Sequence, residues 1–146
     1  EQNIRSLSVN EWADIRKHSL SILFQELRIF PELTALENVL LKNRLNDYKR
    51  KKRLSLSSKQ SVFPIKSTKR PACFLSGNNN GSLFIRSLCQ PFDFIFLDEP
   101  ISHLDDENSA IMSQLLMEET EKQGAGVIVT SIGKHLELPY DETLRL

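Results

Sequence analysis

The stretch "FDFIFLDEP", residues 92 to 100, decides the fold. A short apolar run, Phe92 to Leu97, leads directly into two acids, Asp98 and Glu99, and halts at Pro100. A run of that length closed by a turn signal reads as a buried strand. The chain after it keeps the pattern. "DDENSAIMSQLLMEETEKQ" (105–123) is helical, with Ile111, Met112, Leu115 and Leu116 on one face and Gly124 as its stop. "GVIVT" (126–130) is a second buried strand. Two such strands separated by a helix imply a right-handed crossover and a parallel sheet, hence an α/β fold. In open α/β sheets, ligands bind beyond the carboxyl ends of the strands. Neighbouring strand residues point to opposite sides, so one acid can hold a metal ion while the other addresses a water. That division suits phosphoryl transfer. The residues alone also allow a plainer reading, in which the pair begins the turn before Pro100.

Upstream, "SLSILF" (19–24) reads as another strand, and Ser8 or Asn10 can cap a short helix through Trp12, Ile15 and Arg16. "QELRIFPELT" (25–34) has no clear period and contains Pro31, so it reads as a loop. Thr34 then caps "ALENVLLKNRL", with Glu37 three residues on as a capping box. The 146 residues are 40 % hydrophobic and 26 % charged, an ordinary balance for one globular domain or part of one. No apolar run approaches membrane-spanning length. Cys73 and Cys89 have neither metal spacing nor a disulfide framework and suit a reducing compartment. Charge sums to zero but is uneven, since residues 42 to 70 carry eleven Lys/Arg against the single acid Asp47. No aromatic interleaves the run Lys49 to Arg53, which favours a solvated surface over a nucleic-acid site.

"FDFIFLDEPISHLDDENS" (92–109) resembles the Walker B segment and D-loop of an ABC-type ATPase, with Ser102-His103-Leu104-Asp105 as the D-loop. "SILFQELRIFPELTALENVLL" (21–41) is similar to the strand, Q-loop and following helix of the same family, with Gln25 as the Q-loop glutamine. The matches cover residues 19 to 45 and 85 to 135, and "FQELRIFPELTALENV" looks nearest to the lipoprotein-release and macrolide-export ATPases. The resemblance implies ATP and Mg²⁺ as ligands. It implies that Asp98 holds the metal through water and that Glu99 is the general base. Gln25 would sense magnesium and the attacking water while contacting a membrane permease. Ser102 and Asp105 would act across a homodimer interface, in which each signature loop faces the partner's ATP.

Three departures limit what carries over. The phosphate loop GxxxxGK[ST] is not found, and residues 1 to 24 contain no glycine, although that loop supplies most of the grip on the β- and γ-phosphates. The chain, which begins at Glu1, therefore resembles roughly the C-terminal two thirds of an ATPase subunit. Ser131 stands where the family has its switch histidine, leaving His135, four residues on, as the candidate for that role. Finally, the family's LSGGQQQR signature should fall on residues 74 to 81. "CFLSGNNNGSLF" (73–84) shows Ser76 and Gly77 as a possible signature pair, but one place out of register.

The genetic code offers one account of that last departure, and a genuine Asn/Gly turn inserted in a divergent loop is the other. Asparagine codons read one base out of frame give CAA, glutamine, or a stop, and the Asn80–Gly81 junction gives arginine or tryptophan. "CFLSGNNNGSLF" thus follows from "MLSFGQQQRVAF", and "IKSTKRPA" (65–72) from "DKIDQAAG". The expectation is that residues from about 56 to 84 are read between two compensating base changes. The strands at 19–24, 92–97 and 126–130 would survive such a slip.

The sequence accordingly reads as a partial P-loop NTPase of the ABC type, a parallel sheet with flanking helices. Residues 1–45 hold the first strand, Q-loop and following helix, residues 46–84 a degraded helical subdomain and signature, and residues 85–146 the Walker B, D-loop and C-terminal part. The expected function is the ATP-hydrolysing subunit of an export transporter, inactive alone and peripheral on the cytoplasmic face of the inner membrane beside its permease. Two alternatives stand beside it: a remnant without function of its own, and a non-transport ABC ATPase that acts on nucleic acid. "FPELTALENV" favours the transporter, for which no nucleic-acid partner is expected.

Overall fold

The computed structural model describes residues 3–25, 30, 32–46, 79–102 and 104–145. A single 3-10 turn at Ile4–Ser6 leads into helix α1 (Val9–His18). Of the two candidate caps, Ser8 is the one used. Its hydroxyl accepts from the Glu11 amide while the Glu11 carboxylate accepts from the Ser8 amide, a complete capping box. Strand β1 (Leu20–Leu23) follows, then α2 (Ala35–Asn46). The Thr34 hydroxyl accepts from the Glu37 amide at 3.2 Å, and the Glu37 carboxylate accepts from the Thr34 amide at 2.7 Å, so the expected box is formed. Buried Asn38 adds a lock that the sequence does not advertise. Its amide donates to the carbonyls of Phe30, Leu33 and Thr34 and its oxygen accepts from the Phe30 amide, pinning the loop ahead of α2.

Helix α3 (Asn79–Ser87), strand β2 (Phe94–Asp98), helix α4 (Asp106–Gln123) and strand β3 (Gly126–Thr130) complete the described elements. The three strands form one parallel sheet in the order β1-β2-β3, with Leu23 opposite Leu97 and Asp98 opposite Thr130. The α/β class and all three strands agree with the sequence. At the end of α4, Gly124 takes a left-handed conformation (φ 63°) and its amide bonds back to Glu121 and Thr120. That is the geometry a helix stop requires and a Cβ disfavours.

One sheet face is the core. Leu23, Ile95 and Leu97 pack under Leu83, Phe84 and Leu88 of the α3 region and under Met112 and Leu116 of α4, with Ile111, Leu115, Val127 and Val129 partly buried around them. The amphipathic stripe expected on α4 is therefore the stripe that seals this face. A second small cluster, Val39, Ile85 and Cys89, joins α2 to α3. Polar bonds tie the layers together. The Ser21 hydroxyl donates to the Ser87 carbonyl at 2.6 Å, and the buried Gln90 amide donates to the carbonyls of Arg16 and Leu20.

The opposite face corrects the expectation of buried strands. Along β2, buried Ile95 and Leu97 alternate with exposed Phe94, Phe96 and Asp98. Ile22 and Ile128, which flank Phe96 in register, are exposed as well. Period-two alternation puts every second side chain on this face, and among the described residues no helix packs over it. Helix α3 is a second difference, because "NNG" at residues 79–81 gives little helical signal, yet the buried Leu83, Phe84 and Ile85 recruit the segment through packing. The degraded subdomain expected over residues 46–84 falls mostly outside the described residues, as do Ser76 and Gly77.

Candidate functional site

The parallel register decides which residues meet. Because β1, β2 and β3 run the same way and end together, their carboxyl ends form one edge, and the chain beyond each end carries a candidate group. Asp98 is the last residue of β2, and Glu99 is the first residue past it. Gln25 lies two positions past the end of β1 and is exposed. Ser131 to His135 follow β3 directly.

Both acids are held from β3. The Thr130 hydroxyl donates to Asp98 Oδ1 at 2.7 Å, and the Ile132 amide donates to Glu99 Oε1. The backbone joins in, with the Glu99 amide donating to the Thr130 carbonyl at 3.0 Å. Glu99 carries φ 47°, the single non-glycine residue with positive φ among the described residues. That left-handed kink turns the chain out of the strand, and the two anchors on β3 and its following loop hold it there. Pro100 next in line is buried and fixes the exit. Asp98 is exposed and Glu99 partly exposed, so both carboxylates remain open to a ligand.

Ser102 closes the turn, donating from its amide and hydroxyl to the Glu99 carbonyl. His103 lies outside the described residues. Asp105 has a local task, since its carboxylate accepts from the Asn108 amide at 2.8 Å and from the Asn108 side chain at 2.8 Å, which makes it the N-cap of α4. Lys134 reaches the same helix end and donates to Asp106 at 2.6 Å. The Lys134 ammonium holds the Asp106 carboxyl below the usual carboxylate range, first by this hydrogen bond and then by its charge. The Ser131 hydroxyl donates to the Lys134 carbonyl and so tightens the loop, in which Gly133 takes φ 90°. His135 is exposed and, among the described residues, hydrogen-bonds to neither acid.

The structure thus gathers Asp98, Glu99 and Ser102, sets Gln25 at the same edge by register, and leaves His135 outside the hydrogen-bonded cluster. Thr130 and Ile132 are the partners that sequence reasoning overlooked. The parallel pairing that sets Thr130 opposite Asp98 was the one signal available for the first. The second acts through its backbone, which carries no sequence mark. As a donor set, the two carboxylates and adjoining hydroxyls offer hard oxygens. That suits Mg²⁺, which takes one or two carboxylates and fills its remaining positions with water and phosphate oxygens.

Comparison with solved structures places this geometry. The chain superposes on the ATP-binding cassette MJ0796 in a dimeric post-hydrolysis state bound to ADP and Pi, with TM-score 0.70, 26 % identity, and coverage of 86 % of this chain and 57 % of that one. A second dimeric structure of MJ0796, a bacterial ABC transporter cassette, gives TM-score 0.72 over 87 % of this chain and 58 % of that one. The fold is that of an ABC-type ATPase cassette. Sequence relatives agree. The lipoprotein-releasing system ATP-binding protein LolD 2 of Rhodopseudomonas palustris is 25 % identical over 97 % of this chain and 62 % of its own length. The ABC transporter ATP-binding protein YclH of Bacillus subtilis is 28 % identical over 91 % of this chain and 61 % of its own. LolD of Francisella tularensis is 24 % identical over 95 % and 62 %. No protein-family model matches. The chain thus resembles ABC transporter ATP-binding proteins over nearly all of its length, and spans about three fifths of the length of these curated relatives.

Proposed function

We propose that this chain is part of the ATP-binding and hydrolysing subunit of an ABC export transporter of the lipoprotein-release or macrolide-export type. The observation that carries the proposal is the acid pair at the end of β2, each carboxylate held by a donor from β3 or the loop after it, within an ABC-cassette fold. In this reading Asp98, steadied by Thr130, would hold Mg²⁺. Glu99, aimed by the Ile132 amide, accepts a proton from the attacking water, help typically worth about 10²–10⁴ in rate. Bound Mg²⁺ would neutralise charge on the phosphate oxygens. Gln25 at the same edge responds to both and passes the state to a membrane permease. Ser102 and Asp105 face a second subunit, and His135 is the candidate for the place of the switch histidine. Among the described residues no helix is long and apolar enough to cross a membrane, and the proposed location is the cytoplasmic face beside the permease.

These 146 residues contain no GxxxxGK[ST] loop, and Ser76-Gly77 stands out of register with the signature, so the chain by itself is proposed to be inactive. The reading of residues 56 to 84 as out of frame belongs to the same proposal. The test proceeds by restoration. Isothermal titration of the chain with Mg-ATP should show no micromolar binding. A phosphate-loop segment from a relative, joined ahead of residue 1, should restore binding. Replacing residues 73–84 by "MLSFGQQQRVAF" should then restore hydrolysis that Glu99→Gln abolishes. Micromolar binding by the unaltered chain, or hydrolysis indifferent to Glu99→Gln, would sink the reading. Sequencing the DNA through codons 50 to 90 tests the frame separately.

A further inference from the structure

The loop after β3 is tied to two other elements at once. On one side, the Ile132 amide donates to the Glu99 carboxylate just past the end of β2. On the other, Lys134 Nζ donates to Asp106 Oδ1 at 2.6 Å, and Asp106 is the first residue of α4. Between the two, the Ser131 hydroxyl donates to the Lys134 carbonyl, and Gly133 takes the positive φ of 90° that lets so short a turn close. The turn is therefore a closed unit with a contact to the acid on one flank and a contact to a helix on the other. Lys134 and Asp106 lie 28 positions apart, so the fold alone brings them together.

Packing does not fix this unit. The Ile132 side chain is 91 % exposed, and Gly133, Lys134 and His135 are exposed as well. Burial resumes at Leu136, which joins the core cluster with Leu23 and Leu97. Residues 131–135 thus bridge Thr130 in the sheet and Leu136 in the core, and polar contacts set where they lie. The contact between Lys134 and Asp106 is a hydrogen bond between ions, and Lys134 accordingly holds the Asp106 carboxyl below the usual carboxylate range. An exposed pair of this kind adds little to global stability. What it restricts is the loop, and through the loop the direction of the Ile132 amide.

We propose that Lys134 and Asp106 form a latch that positions Glu99, tying the turn 131–134 to the start of α4 and so holding the Ile132 amide against the Glu99 carboxylate. Lys134 and Ser131 are then positioning residues, and Ser131 serves by closing the turn. Glu99 leaves the strand with φ 47° and stands partly exposed, so a fixed donor is what keeps its carboxylate in one direction. Direction matters for a general base, which must stand within hydrogen-bond reach of the water it deprotonates. The part of Glu99 as that base rests on the function proposed above. The latch itself rests on contacts within this chain and is read without nucleotide.

The test follows the Ile132 amide of the ¹⁵N-labelled 146-residue chain by NMR, through its proton shift and its exchange with solvent. Glu99→Gln should move the proton upfield, because it removes the charged acceptor. Lys134→Met and Asp106→Ala should each move it the same way and speed its exchange about tenfold, since local opening sets that rate. Lys134→Arg should keep the wild-type shift and rate. The Ala125 amide, bonded to the Thr120 carbonyl at the far end of α4, is the control and should stay unchanged in all four variants. Circular dichroism confirms the fold of each. An Ile132 amide that responds to Glu99→Gln but to neither Lys134→Met nor Asp106→Ala overturns the latch. So does one that responds to none of them, or one whose change is matched at Ala125, which would be general loosening. Hydrolysis indifferent to Glu99→Gln in the restored chain would instead sink the ATPase reading and leave the latch standing, because the amide is read apart from activity.

Discussion

Asp105 offers the sharpest test of how local structure and function share a residue. In the structure its carboxylate caps α4, accepting from the Asn108 amide and side chain at 2.8 Å each. Losing an N-cap acceptor costs about 1 kcal/mol, within a range of roughly 0.5–2. Losing a negative charge at a helix N-terminus costs a further ~0.5 kcal/mol. Asp105→Ala loses both, about 1.5 kcal/mol, which for a chain of this size lowers Tm by about 5 °C. Asp105→Asn keeps the acceptor and loses only the charge, so its Tm should fall by about 2 °C. Thermal unfolding followed at 222 nm distinguishes them, since α4, at 18 residues, is the longest described helix. Equal losses for the two variants, or a wild-type Tm for Asp105→Ala, would refute the capping argument and return Asp105 to a purely intersubunit role.

Other consequences are checked more simply. Leu116→Ala empties a fully buried position between α4 and the sheet and should cost about 2–5 kcal/mol in urea-melt stability. Gly124→Ala forces a Cβ into a left-handed conformation and should cost roughly 1–2 kcal/mol, read in the same melts. The Asp106–Lys134 pair makes a pH prediction. The folded pKa of Asp106 is depressed, so the pair's contribution is present above the ordinary carboxylate value and is lost as pH falls through the depressed one. Lys134→Met should return the Asp106 titration, followed by carboxyl NMR, to the ordinary value, and high salt should shift it the same way.

Much of this was legible along the chain, above all in residues 92 to 130. The apolar runs, the helical stripe through Met112 and Leu116, the stop at Gly124, a cap at Ser8 or Asn10 and the capping box at Thr34 are local chemistry, and local chemistry is written along the chain. The acids at the end of β2 were marked by the apolar run that leads into them and by the likeness of residues 92–109 to a Walker B segment and D-loop. Helix α3 was not legible, because its weak propensity is overridden by the burial of Leu83, Phe84 and Ile85.

By itself, then, the sequence determined the element types, the core stripe of α4 and the identity of the acid pair, since each depends on residues only a few positions apart. Tertiary structure decided what those acids touch. The Thr130 hydroxyl and the Ile132 amide lie 32 and 33 positions away from the acids they hold, and one of them is a backbone group. It also decided that β2 is covered on one face only among the described residues. Pairing register and helix placement set these relations, and both come from contacts across the sheet that no local pattern encodes.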